Sequence, residues 1–403
     1  MKLFQRLLVA PAALGLFSPL AANATEVNLN EIANYSDVES FEVTNSFDND
    51  QLTNSSLLAG GEGLVDTTSY DGSFSETTTA SFSVDFAIGA VDGLGEDTTG
   101  TTNALLEGDQ TVQAVYGFQI DLNTSFTGED SLDISLDAGN GFTGGPLSEF
   151  DLNGAYNNNN QDVLAVDGVS YTFPATDNIT AIIGDNTDGS ALFTTACAYG
   201  GPSNTVDDCG NVNAGITNGG FMVGAAYDFE NGWTAAVGYA GPEADIMSKE
   251  GQDAWGGNVA YTADNYGFSV TYGHIDSVDA NSVVDGEKDA YTAFNAYYSF
   301  DNGASISGGY EFGDIGGALA TADESINYFV GVSGEVGPGE LGAAFHTSGG
   351  QIEGQDEELM YEAYYSYPLN DGMTITPLIY IQEDADAGQP DRTGVMVKTS
   401  FSF

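Results

Sequence analysis

Asp133, Ser135 and Asp137 alternate with Leu132, Ile134, Leu136 and Ala138. In an extended strand that spacing sends both carboxylates to one face and every apolar side chain to the other. The pattern recurs along the chain: Asp85 lies opposite Phe82, Val84, Phe86 and Ile88, and Asp121 opposite Tyr116, Phe118, Ile120 and Leu122. Asp228 lies opposite Phe221, Val223 and Tyr227, and Glu311, Glu335 and Glu362 take comparable places further on. Carboxylates presented this way to a water-filled passage with low-dielectric walls concentrate cations and repel anions. The alternative is that most acids sit in loops and serve only solubility.

Other chemistry is thinly represented. His274 and His346 are the only histidines and have no partners at the spacing of a metal site or triad, so they read as polar residues of the sheet. No G-x-S-x-G or phosphate-binding glycine loop occurs, and no enzymatic activity is expected. The stretches Gly93-Leu94-Gly95-Glu96-Asp97 and Asp185-Asn186-Thr187-Asp188-Gly189 carry closely spaced oxygen ligands, but neither has the EF-hand spacing. Weak loop-bound Ca²⁺ or Mg²⁺ is conceivable there, and no cofactor is otherwise expected. Cys197 and Cys209 are the only cysteines, and in an oxidising compartment they should form a disulfide. They fall in a long polar segment, about 187–219. That segment is either simply stapled or, more specifically, a pinned loop that narrows a pore.

The elements that would position these residues are strands. Short turns at Glu230-Asn231-Gly232, Asp264-Asn265-Tyr266-Gly267, Asp301-Asn302-Gly303, Gly337-Pro338-Gly339 and Asn370-Asp371-Gly372 recur about every 35 residues. That is the length of two membrane strands of ~9–11 residues with a tight turn and a loop. Longer polar loops are expected over 241–253, 275–289 and 383–391. Three strands before Gly139, two around Asp177-Asn178 and eleven from Phe221 onward give an all-β transmembrane antiparallel β-barrel of about 16 strands, with 14 to 18 also compatible. An even number returns both ends of the barrel to one side of the membrane. The last strand, Val395 to Phe403, has Val395, Val397, Phe401 and Phe403 on one face and Lys398, Ser400 and Ser402 on the other. It ends on Phe, as a barrel-closing strand does.

Lys2 and Arg6, the apolar stretch Leu7 to Leu20 and the small-residue site Ala22-Asn23-Ala24 read as a signal peptide over 1–24. Residues 25–78 are acidic and irregular, a periplasmic lead-in or plug-like segment, and 79–403 form the barrel. The formal net charge is −54, and two of the six basic residues fall in the leader, so the exported part is more acidic still. Nucleic acid is excluded as a partner. The 23 Phe and 21 Tyr at alternating positions argue against a disordered acidic chain.

Several segments in order carry a family resemblance. They are Met1-Lys2-Leu3-Phe4-Gln5-Arg6-Leu7-Leu8, Asn123-Thr124-Ser125-Phe126-Thr127-Gly128 followed by Leu132 to Asn140, Val169-Ser170-Tyr171-Thr172-Phe173-Pro174, Tyr227-Asp228-Phe229-Glu230-Asn231-Gly232-Trp233, and the closing Phe401-Ser402-Phe403. Over roughly 78–403 the chain resembles the cyanobacterial outer-membrane porins grouped with iron-uptake porins and the carbohydrate-selective porin family. The resemblance implies an outer-membrane pore for inorganic ions, including iron, or for sugars. It implies insertion into outer-membrane lipid by the barrel assembly machinery, and homotrimers are common among porins of this size. Residues 25–78 are too short for the surface-layer-homology domain and coiled coil of longer members. Where the family tends to place inward Arg, this chain has Asp133, Ser135 and Asp137, which reverses the sign of the lumen. The expected function is passive diffusion of small hydrophilic solutes biased toward cations. The alternative is a plugged barrel that displays acidic loops as a structural or adhesive surface.

Overall fold

The structure is a computed structural model and describes residues 78–93, 112–141, 147, 149, 162–217, 220–248, 251–279, 282–316, 324–348, 351–352, 356–383 and 391–402. The expected leader over 1–24, the acidic segment up to residue 77, most of the Gly93 to Asp97 stretch, most of the expected loop 383–391 and Phe403 lie outside the described residues.

The strands are β1 (Thr78–Asp92), β2 (Gln113–Thr124), β3 (Ser131–Gly139), β4 (Ala165–Thr176), β5 (Ile179–Asp185), β6 (Phe221–Asp228), β7 (Trp233–Gly241), β8 (Ala254–Thr262) and β9 (Tyr266–Asp279), followed by β10 (Ser282–Ser299), β11 (Ala304–Asp314), β12 (Glu324–Val336), β13 (Gly339–Thr347), β14 (Gln351–Ile352), β15 (Leu359–Asn370), β16 (Met373–Gln382) and β17 (Arg392–Ser402). Neighbours pair antiparallel around the sheet. β17 returns to β1, from Ser402 opposite Ser83 to Thr393 opposite Asp92, and closes it. β14 is a two-residue piece that pairs only with Ser325 and Ile326 of β12, while β13 pairs directly with β15. The wall is therefore a closed barrel of sixteen strands, divided three, two and eleven as the alternation implies. Closure leaves no unpaired edge, which is what allows a sheet to stand in hydrocarbon.

Thr78 and Ser402 lie at the same end of the barrel as the short turns after β2, β4, β6, β8, β10, β12 and β15. β1, β5 and β7 end, and β2, β6 and β8 begin, at the other. Gly232, Gly303 and Gly337 adopt φ of 87°, 82° and 65° in the short turns, the left-handed backbone that tight hairpins require. One expected loop is not a loop. Much of 275–289 belongs instead to β9 and β10, where Asp276 pairs with Lys288 and Val278 with Val283, with a register shift between Val283 and Lys288. The two strands pair with each other well beyond Ala254, where the neighbouring β8 begins.

Phe86, Val237, Phe294, Ile306 and Val332 face outward, 52%, 61%, 46%, 42% and 47% exposed. A water-facing sheet would not carry so continuous an apolar surface; lipid would cover it. Aromatic rings gather on this face near both ends. At the short-turn end Tyr227 meets Phe229 at 4.7 Å, Trp233 meets Tyr261 at 5.2 Å and Tyr298 meets Phe300 at 4.9 Å. At the loop end Trp255 stacks on His274 at 4.9 Å. Rings with an apolar body and a polar tip suit the two membrane interfaces. His274 thus belongs to the outer belt, not to the interior.

Candidate functional site

Between β5 and β6, residues 186–217 do not rise away from the rim. They turn into the barrel. Asn186 (φ 53°), Cys209 (53°) and Ile216 (35°) take left-handed backbone that lets the segment reverse within a confined space. A disulfide joins Cys197 to Cys209 across a Cα separation of 6.4 Å, so the centre of the loop is covalently closed.

The inner wall is built to receive this loop. Thr194 N donates to Asn258 Oδ1 of β8 at 3.0 Å, and Asn258 Nδ2 returns a bond to Thr194 O at 3.1 Å. Ala196 N donates to Ser269 Oγ of β9 at 2.9 Å, and Ala198 N to Ser307 Oγ of β11 at 2.8 Å. Asn295 Nδ2 of β10 donates to Cys209 O at 2.8 Å. Backbone groups taken out of water need such partners, and small polar side chains supply them without pushing the loop back. Gly238 and Gly309 allow the closest approach: a Cβ on either would collide with the carbonyl oxygen of Gly189 or of Cys209.

Two carboxylates hold the loop most firmly. Glu311 of β11 accepts from Asn213 N at 2.8 Å, Asn213 Nδ2 at 2.9 Å, Ala214 N at 2.8 Å and Asn327 Nδ2 at 2.9 Å. Glu362 of β15 accepts from the hydroxyls of Tyr199 and Ser203. Behind them Tyr199, Val206 and Cys209 pack with Phe329, Met360, Tyr364, Leu378, Tyr380 and Met396 into an apolar cluster inside the barrel. Tyr199 stands 5.4 Å from the Phe329 ring and 5.9 Å from that of Tyr364. His346 is buried beside Phe329 at 6.2 Å, with no metal-binding partners around it; among the described residues no cluster of His, Cys, Asp and Glu could hold an ion.

The eight inward carboxylates therefore divide. Glu311 and Glu362 point inward, but the loop covers them, leaving them 0% and 4% exposed; they anchor the loop and do not line open water. Strand alternation carries no information about what packs over a face. Asp137 is also buried. Asp85, Asp121 and Asp133 are half-buried on the inner wall, while Asp228 and Glu335 are exposed at the short-turn rim. Asp121 accepts from Ser135 Oγ and Gln119 Nε2, both at 2.7 Å, and Asp133 from Asn123 Nδ2 and Ser131 Oγ, both at 2.6 Å.

Asp167 joins this group unannounced by the sequence pattern. Counting back from Val169, Tyr171 and Phe173 would send it to the lipid. Pairing between β3 and β4 shifts at this point, Ser135 facing Gly168 but Leu136 facing Val166, and the bulge turns Asp167 inward. It lines, with Asp133, Ser135, Gly168, Ser170 and the loop residues Asn186, Thr187 and Asp188, a recess of about 290 Å³. Further along the loop, crowding inside the barrel, and after it the like charges of Asp207, Glu311 and Asp188, push the Asp208 carboxyl up to about 7. Basic side chains are few. Arg392 and Lys398 share the inward face of β17 with buried Met396, whereas Lys288 bridges Asp276 at 3.3 Å at the loop end.

No protein-family model and no curated protein matches the chain. Solved structures do. A multiply substituted Rhodopseudomonas blastica porin is 14% identical over 81% of this chain and 100% of its own, with a TM-score of 0.53. A triple mutant of the same porin is 15% identical with the same coverage and a TM-score of 0.52. A structure described under asymmetric conductivity of engineered proteins is 14% identical, again over 81% and 100%, with a TM-score of 0.52. The likeness is one of fold: a sixteen-stranded porin-type barrel.

Proposed function

We propose that this chain is a diffusion channel of the bacterial outer membrane that passes small hydrophilic solutes and favours cations. One observation carries the reading: a loop fastened inside a closed barrel narrows the interior and leaves water-accessible carboxylates on part of its wall. Nothing in that arrangement calls for energy coupling; the solute gradient drives passage. The solved porins of the same fold support a channel, and the carboxylates support its sign. Inorganic cations are the solutes that charge favours. The motif resemblance to cyanobacterial porins adds iron and sugars as candidates and a homotrimer as the assembly. The leader over 1–24 would deliver the chain to the periplasm, and the assembly machinery would insert it, with no stable cofactor.

The test is the reversal potential of the purified protein in a planar bilayer under a KCl gradient. A stable current with cation preference supports the proposal. An open channel without preference keeps the pore and removes the bias. Absence of conductance favours a closed barrel that displays acidic loops.

A further inference from the structure

The interior is not lined evenly. From β6 round to β16, inward side chains at the height of the loop are covered: Met222, Ala260, Ala293, Asn327, Met360 and Leu378 are each no more than 2% exposed. Loop residues, their hydrogen bonds and the apolar cluster fill that side. On β2, β3 and β4 the inward residues Gln119, Asp121, Asp133, Ser135, Asp167 and Ser170 stay partly open, and the recess lies against them. Asp188, exposed on the loop, completes its lining from the other side.

Resting on the channel reading above, we infer that ion selectivity is set on one side of the lumen, by Asp121, Asp133 and Asp167 of the β2–β4 wall facing Asp188 of the loop. Glu311 and Glu362 act on it only as positioning residues, by holding the loop in place. The geometry separates the two groups by access to water. A permeating ion must pass beside the open carboxylates, while the covered ones spend their charge on N–H and O–H donors of the loop. Because wall and loop carry the same sign here, the passage ranks solutes by net charge and not by dipole orientation. Small hydrated cations are favoured, and divalent ones more than monovalent.

The experiment compares the full-length mature protein with D133N/D167N and D188N, which keep side-chain shape, and with E335Q at the exposed rim. Each is measured for reversal potential in KCl and in CaCl₂ gradients. The inference expects D133N/D167N to lose most of the cation preference, D188N to lose part of it, with the larger change in CaCl₂, and E335Q to match the parent. If D133N/D167N misfolds, as heat-modifiable gel migration would reveal, D188N alone decides, because it lies outside the strands. An unchanged potential in the neutralised variants of a cation-selective parent overturns the inference and leaves the channel reading standing. A shift in E335Q as large as theirs also overturns it, since the rim would then set selectivity. A parent with no cation preference defeats the proposed bias itself and the inference with it.

Discussion

A carboxylate in this chain acquires its role from what lies over it. Glu311 and Asp121 follow the same strand pattern, yet Glu311 accepts four hydrogen bonds and sees no water, while Asp121 remains half-open. Glu311→Ala should leave the Asn213 and Ala214 amides unpaired and weaken loop docking by about 2–3 kcal/mol. The expected readout is increased open-channel noise in single-channel records with unchanged heat-modifiable migration; quiet, parent-like channels would contradict the anchor role. Asp208 titrates near neutrality because crowding and then its acidic neighbours raise its carboxyl to about 7. A raised carboxylate is neutral below that pH and charged above it, so Asp208 should add a small increment of cation preference between pH 6 and pH 8, on top of that set by the β2–β4 wall and Asp188. Reversal potentials across that range check this, and D208N should flatten the change.

At the scale of elements, the loop 186–217 is held by a covalent closure, by two carboxylate anchors and by strands whose inner faces carry Gly, Ser and Asn where it lands. Closing a loop of this size stabilises by about 3 kcal/mol on a chain-entropy account. Cys197→Ser together with Cys209→Ser should therefore leave the barrel intact and make the constriction less steady, seen as higher and more variable conductance. Conductance identical to the parent would show that the anchors suffice. Strand positions were legible because membrane strands alternate so strictly. Asp167 was not, because a single bulge reverses the parity on which the reading depends.

For the molecule as a whole, closure and the lipid face decide whether the barrel exists at all. β17 reaches β1 over ten paired positions, from Ser83 to Asp92, so the terminal strand completes the wall. Val237, outward and 61% exposed midway along β7, should meet hydrocarbon. Val237→Arg is expected to destabilise the barrel by about 2–4 kcal/mol, measured as a lower urea midpoint of the folded form in lipid. A loss below 1 kcal/mol would place Val237 at an interface or in a water-filled environment. Sixteen strands, one tight rim and one looped rim were readable beforehand, since each hairpin announces itself locally through its turn and its alternation.

The sequence by itself determined the local facts: which residues alternate, where the chain reverses, which faces are apolar, and which strand faces carry carboxylates. Each follows from interactions between residues near one another in the chain or across one hairpin. Only the tertiary structure decided which inward carboxylates meet water. That depends on where a loop of some thirty-five residues comes to rest against strands far away in sequence, Tyr199 on Glu362 and Asn213 on Glu311. Contacts of that range leave no periodic trace, because the Ser, Asn and Gly that receive the loop look the same as residues facing water.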